Sequence, residues 1–386
     1  MIIPSVFDTN EGSATAVGLV MFCLGVCCAP MWPASQVVMS FFSTPATISL
    51  GTSIRAAGAH GGSIITTFAT PMLLSVMGWR ALLQLYGAMG LLIVTFSMFF
   101  GPSGGNQMKK SVSSSGIAIS SPEEGRGKVE SLTGGRTEIG NISTSTSTST
   151  SAVESPLGDD KPVTSALLPL FLEESAEFKI LCESSVLSAF FTHMAINLAN
   201  YTLLSYMPTY FTDVLHVPLS ATAPYIVPSR FSMLMGVVIS GQMSKYVLNN
   251  QLLTLTQTRR DGSIICMLGT ALGLFALPAV RAPLHAALCL TWSTFFIGAF
   301  EVFLQSTYID LTADLPEFAG FVCGAGNTLA AFPGALGPFF VSQMLNLFDS
   351  WVLVFWVMSL CLLGAVACHF QYGSATSISL DRKIKI

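Results

Sequence analysis

A segment of chain placed in hydrocarbon has only itself to satisfy its backbone N–H and C=O groups, so an apolar run of about 20 residues crosses a bilayer as a helix. This sequence holds such runs near residues 14–42, 50–77 and 80–101, and six more near 182–212, 221–247, 262–280, 283–306, 318–347 and 350–371. The pattern predicts an all-α, polytopic membrane protein with about nine transmembrane helices, three followed by six. Composition agrees: 51% of the residues are hydrophobic, 10% are charged and the mean hydropathy is +0.64, far from the balance of a soluble domain.

One polar stretch, residues 102–179, interrupts the apolar runs; it is rich in Ser, Thr and Gly and contains STSTSTSTS at Ser143–Ser151. Too few apolar residues are present there to offset the entropy of ordering, so a disordered cytoplasmic linker is expected. The domain plan is a partial N-terminal bundle at 1–101, the linker at 102–179, a six-helix bundle at 180–372 and a cytoplasmic tail at 373–386. Residues 166–181 read either as an interfacial helix or as the approach to the first span of the second block. MIIPSVFDTNEGS has no basic region ahead of the first apolar run, so a cleaved signal peptide is not expected.

Lys and Arg concentrate in short cytoplasmic loops. With the linker inside, Arg55, Lys245, Arg259, Arg260 and the tail cations Arg382, Lys383 and Lys385 fall on its side. Arg80 and Arg281 fall outside, and Arg230 stays within a span. An odd span count puts the termini on opposite faces. One transporter architecture joins two six-helix halves, each nested as three plus three, through a cytoplasmic loop. Three spans before such a loop correspond to the end of a first half, that is, nine helices of an expected twelve, with the first three absent.

Short motifs then carry a resemblance. WPA at Trp32–Ala34, AGAHGG at Ala57–Gly62 and GWRALLQLYGAMG at Gly78–Gly90 precede the linker. YTLLSYMPTYFTDVL at Tyr201–Leu215, SGQ at Ser240–Gln242, TRR at Thr258–Arg260 and LPEFAGFVCGAGNT at Leu315–Thr328 follow it. In order and spacing they resemble the major facilitator superfamily, and within it the anion:cation symporter family of sialin, vesicular glutamate carriers and plastid-type phosphate carriers. The resemblance implies a secondary transporter of a small organic or inorganic anion, coupled to H⁺ or Na⁺, working by alternating access. It admits the plasma membrane, a vesicle or lysosome, or a plastid envelope. Several charges of that family are replaced here: its fourth-helix Arg and Glu align with Met21 and Cys28, a seventh-helix Arg falls near Ile196, and the acid after SGQ becomes Ser244 and Lys245.

An ionisable group within a span costs about 2.5–3.5 kcal/mol and tends to face a cavity or a partner. Arg230, between Pro228 and Phe231, reads either as an anion contact or as a side chain snorkelling to the outer interface. Glu301, with Gln305 on the same helical face, reads as a site for the coupling ion, as a partner of Arg230, or as a group reaching the cytoplasmic headgroups. His193, Asn197, Asn200 and Tyr201 recur at spacings of three and four, and the resemblance puts that helix at the substrate cavity. Gly58, Gly61 and Gly62 read as small residues that let helices approach closely, and His60 among them as a hydrogen-bonded packing residue. Gly320, Gly324 and Asn327, with Pro333 and Pro338, predict a closely packed, bent helix that moves in alternating access. Arg259 and Arg260 read as topology anchors.

The nine cysteines lie almost wholly in apolar runs without ligand spacing, so buried thiols are expected, and no metal or cofactor. No nucleotide loop or nucleophile elbow is present, which argues against an enzyme. The net charge of −4 includes many linker acids and gives no reason to expect a nucleic-acid partner. The expected partners are a small anionic solute, a coupling cation and the lipid bilayer. The competing reading is a non-transporting, truncated membrane protein that serves as a binding or scaffold partner, or is inactive.

Overall fold

The computed structural model describes residues 14–100 and 176–379. Nearly all of the expected linker, and the tail beyond residue 379, lie outside the described residues. Among those described, every regular element is helical: α1 (Ala14–Cys28), α2 (Met31–Phe42), α3 (Pro45–Phe100), α4 (Ala176–Leu181), α5 (Ser184–Asp213), α6 (Ala223–Asn249), α7 (Leu255–Ala276), α8 (Pro283–Leu311), α9 (Ala319–Phe348) and α10 (Trp351–Tyr372).

The first expected span is interrupted after Cys28. Pro30 lacks the N–H that would continue α1 and stands instead at the N-terminal boundary of α2. Helix α3, nominally 56 residues, is two helices. Gly78 has φ 72° and ψ 165°, a backbone conformation that glycine adopts without steric cost. On either side of it, Thr70 Oγ1 and the Tyr86 hydroxyl lie 2.8 Å apart. A straight helix would separate residues 16 apart by about 24 Å. The chain therefore folds back at Gly78 into two antiparallel arms, 45–77 and 79–100, which are the expected second and third spans.

By length and hydropathy, seven stretches of the described helices qualify as membrane spans, against nine expected. One of the seven, Met72–Phe96, straddles the Gly78 bend and is shared between the two arms. Helix α5 does not qualify, although its 30 residues exceed the length required. Its hydropathy is lowered by His193, Asn197, Asn200 and several Ser and Thr. The first arm of α3 is diluted in the same way by Ser49, Thr52, Ser53, Arg55 and His60. These two helices are low in hydropathy because they carry the polar interior of the molecule.

Helices α5 to α10 enclose one apolar core, in which the Tyr210 ring meets Phe355 edge-on at 5.1 Å and Trp351 at 5.4 Å. Lipid supplies no hydrophobic drive between helices, so close backbone approach matters more than in water. Helices α6 and α8 achieve it with Gly236 and Gly298: a Cβ added to Gly298 would lie 2.9 Å from the Met233 carbonyl carbon. The first block packs on this core through two contacts. The first arm of α3 lies against α6 and α8, where Ser53 Oγ donates to the Val237 carbonyl at 2.9 Å. Helix α2 lies against α9, with Val37 and Pro33 seated over Gly320 and Gly324.

Three expectations need correction. A Cβ at Gly58, Gly61 or Gly62 would meet nothing within 4 Å, because that face of α3 turns away from the helices to which α3 is packed. Arg259 is not a topology anchor: it is 1% exposed and bonded to three other helices, as argued below. The C-terminal segment, expected as a plain tail, returns to the bundle over residues 373–379. There the Ile378 N–H donates to the Leu311 carbonyl at 2.9 Å, the Asp314 N–H donates to Ser377 Oγ at 2.9 Å, and Ala375 is 2% exposed.

Candidate functional site

A cavity of about 330 Å³ lies between α5, α6, α8 and α9, with Trp32 of α2 at one wall. This is the volume range of small-molecule sites. Its polar lining comes from two directions. Helix α5 presents His193, Asn197, Asn200 and Tyr201, three or four residues apart on one face. Helix α8 presents Glu301 and Gln305, and α9 presents Asn327. Ile196, Met233, Ile297, Phe300 and Leu304 fill the apolar remainder.

Each polar side chain is held by a contact that explains its place. His193 Nδ1 meets the Tyr308 hydroxyl of α8 at 3.1 Å, with the two rings tilted at 53°. Asn197 Nδ2 donates to the Ala330 carbonyl at 3.3 Å, and the Tyr206 hydroxyl donates to the Pro338 carbonyl at 2.7 Å. Pro333 and Pro338 lie inside α9, and α5 donates to two of its carbonyls, those of Ala330 and Pro338. The Tyr201 ring packs directly over Gly334, where a Cβ would come within 2.7 Å of it. Gln305 Oε1 accepts from Gln36 Nε2 of α2 and, at 3.6 Å, from the Cys323 thiol. Asn327 Nδ2 points to the same sulfur at 3.7 Å.

Glu301 does not pair with Arg230. Its Oε2 lies 2.8 Å from His60 Nε2, so an imidazole on α3 and a carboxylate on α8 join the two blocks at the cavity wall. His60 is hydrogen-bonded, as expected, and its partner is Glu301. Arg230 is not among the cavity-lining residues; it borders a separate crevice of about 10 Å³ with Ser229, Ile226 and Thr294. Asn200 borders both. The reason is depth: Met233, which lines the cavity, is one helical turn further along α6.

Two arginines that sequence reasoning assigned to loops belong to the interior. Arg55 lies ten residues into α3, its guanidinium 3.7 Å from the centroid of the Trp32 ring, with Nη1 donating to Ser35 Oγ at 3.2 Å. Arg259 donates through Nε to Asp310 Oδ2 at 2.6 Å, and it also reaches Ser244, Ser49 and the Pro45 carbonyl. No spacing signal marks either one; their partners are remote in sequence. Among the described residues no group of three or more His, Cys, Asp or Glu could hold a metal ion.

Comparison with known proteins fits this geometry. The family model of the Major Facilitator Superfamily matches residues 7–338. The chain is similar to Probable anion transporter 4, chloroplastic, of Oryza sativa subsp. japonica, at 25% identity over 326 residues, 84% of this chain and 47% of the relative. It is similar to sialin of Ovis aries at 27% over 166 residues, 42% of this chain and 33% of the relative. The ascorbate transporter, chloroplastic, of Arabidopsis thaliana is 29% identical over 189 residues, 48% of this chain and 34% of the relative. The match spans less than half the length of each relative.

Proposed function

The chain belongs to the Major Facilitator Superfamily and is an integral, multi-pass membrane protein, and on that premise we propose that it carries a small anionic solute across its membrane. The observation that carries the reading is the cavity itself. A chamber of about 330 Å³, lined by seven polar side chains from α5, α8 and α9, lies at the junction of the first block with the second. In alternating-access carriers the solute site lies near the bilayer midplane between two bundles, so that rocking one against the other exposes it to each side in turn. The relatives named as anion transporters and as sialin support an anion as the solute class.

Coupling to a cation belongs to the same proposal. Glu301 and His60 share one hydrogen bond across the two blocks. Proton uptake by the pair changes its charge, and parting of the blocks breaks it, so protonation state and conformation are linked there. Asn197, Asn200, Tyr201, His193 and Asn327 would then orient the solute through hydrogen bonds, with Gln305 alongside.

Uptake into proteoliposomes tests the proposal. Labelled phosphate, glutamate, sialic acid and ascorbate are each offered under a pH gradient and under a Na⁺ gradient. Accumulation of at least one above empty vesicles is expected. No accumulation of any of them under either gradient would favour the non-transporting reading.

A further inference from the structure

We propose that Arg55, which stands against the Trp32 wall of this cavity, is an oxyanion ligand, taking a carboxylate or phosphate group edge-on through its Nε–H and Nη2–H. The inference rests on the reading of the cavity as an anion site and names the group that would hold the charge.

The parts of the guanidinium are used unequally. One flat face lies on Trp32, at 3.7 Å from the ring centroid. Nη1 is engaged by Ser35 Oγ at 3.2 Å. Nε and Nη2 are both buried and have no hydrogen-bond partner among the described residues. Their two N–H bonds run parallel along one edge of the planar group, the edge that matches two oxygens of a carboxylate or a phosphate. Stacking on Trp32 and the bond to Ser35 hold that edge in a set orientation, so little rotamer entropy is lost when it is filled. A buried donor without a partner is costly, and a ligand that supplies two acceptor oxygens removes the cost at both atoms.

The same ring that carries the guanidinium lines the cavity. Trp32 is therefore shared between the solute chamber and the charge beside it. Glu301, also at the cavity wall, is within electrostatic reach of Arg55. Arg55 is not itself a lining residue; it stands against Trp32 next to the chamber, and an anion drawn to it comes near a carboxylate already held by His60. Arg230 borders the small crevice shared with Asn200 instead, whereas Arg55 stacks on a ring that lines the chamber.

The test reads binding directly. The full chain in detergent is heated with inorganic phosphate, sulfate, glutamate or ascorbate, against chloride at equal ionic strength. At least one oxyanion should raise the unfolding temperature above the chloride control. Arg55→Gln should weaken that binding at least tenfold. Arg55→Lys, which keeps the charge and loses the parallel pair, should weaken it as well, while Arg80→Gln at the α3 bend should bind as the wild type does. Wild-type affinity in Arg55→Gln, or no oxyanion effect on the wild type, would overturn the assignment. If Arg55→Gln yields no folded protein, Arg55→Lys and Ser35→Ala decide: weaker binding in both supports the site, and wild-type affinity in both overturns it. Binding that Arg55→Gln abolishes, in a chain that moves none of these anions into proteoliposomes, would sink the carrier reading and keep this site. Uptake unchanged by Arg55→Gln would do the reverse.

Discussion

Arg259 Nε donates to Asp310 Oδ2 at 2.6 Å, with both side chains 1% exposed. The same guanidinium donates to Ser244 Oγ at 2.8 Å, to Ser49 Oγ and to the Pro45 carbonyl at 3.0 Å. One side chain on α7 thus holds α8 and α6 of the second block together with α3 of the first. A charge this deep is tolerated because it is paired and bonded. Removal of one partner leaves the other as an uncompensated buried charge, at a cost of about 3–5 kcal/mol. Asp310 is the more exposed to that cost, since its Oδ1 has no partner among the described residues. Arg259→Ala should therefore lower the stability of the full chain in detergent by that amount. The paired change Arg259→Met with Asp310→Leu, which removes both charges and keeps the volume, should recover most of it. Chemical unfolding of the wild type and the two variants decides; a double variant no more stable than the single one would mean that packing, not charge, is lost.

The His60–Glu301 bond predicts a separation of two activities. Counterflow exchange needs only a solute site that reaches both sides, whereas uphill accumulation needs the coupling group as well. Glu301→Gln retains a hydrogen-bonding side chain of the same size and cannot take up a proton. It should keep exchange within a few-fold of the wild type and lose accumulation driven by a pH gradient. Accumulation that persists in Glu301→Gln would remove this carboxylate from coupling.

How much of this was readable beforehand depended on whether the cause was local. The Gly78 bend was legible as a gap between two apolar runs, and the face formed by His193, Asn197, Asn200 and Tyr201 was legible because helical periodicity alone sets it. Glu301 and Gln305 shared a face for the same reason. Arg55 was misread as a loop cation, because its place is fixed by Trp32 and Ser35, twenty or more residues earlier in the chain. Arg259 sits in a basic TRR cluster that looks like a cytoplasmic anchor, and only Asp310, 51 residues on, shows otherwise. Arg230 lies one turn away from Met233 at the cavity, and periodicity gives direction around a helix rather than depth along it.

Glycine positions offer a matched comparison within one bilayer. At Gly298 an added side chain runs into the Met233 backbone, which cannot swing aside as a flexible side chain would. Gly62, also helical, has nothing within 4 Å of the corresponding point. Gly298→Val should abolish recovery of folded protein or lower its unfolding temperature by several degrees, as overpacking by more than about 1–3 kcal/mol would do. Gly62→Val should change it little. Equal effects at the two sites would contradict the α6–α8 packing described above.

The C-terminal segment gives a prediction about local stability. Residues 373–379 satisfy the Leu311 carbonyl and the Asp314 N–H at the end of α8, and the Ala375 N–H faces Thr256 Oγ1 of α7 at 3.4 Å. Each such bond contributes about 0.5–1.5 kcal/mol. They act on the turn between α8 and α9, at the rim of the apolar core where Leu315 and Phe318 pack against it, rather than on the core's interior. A chain ended after Gly373 should therefore lose about 2–3 kcal/mol of protection in that turn alone. Hydrogen exchange followed by mass spectrometry reads this directly. Peptides covering residues 311–318 should exchange roughly 30- to 150-fold faster, the rate change that 2–3 kcal/mol implies under rapid reclosing, whereas peptides from α5 and α8 around Phe190 and Phe300 should be unchanged. Ser377→Ala, which removes only the acceptor for the Asp314 N–H, should give a smaller increase confined to the same peptides. Uniform acceleration throughout the bundle would instead make the segment part of the global fold.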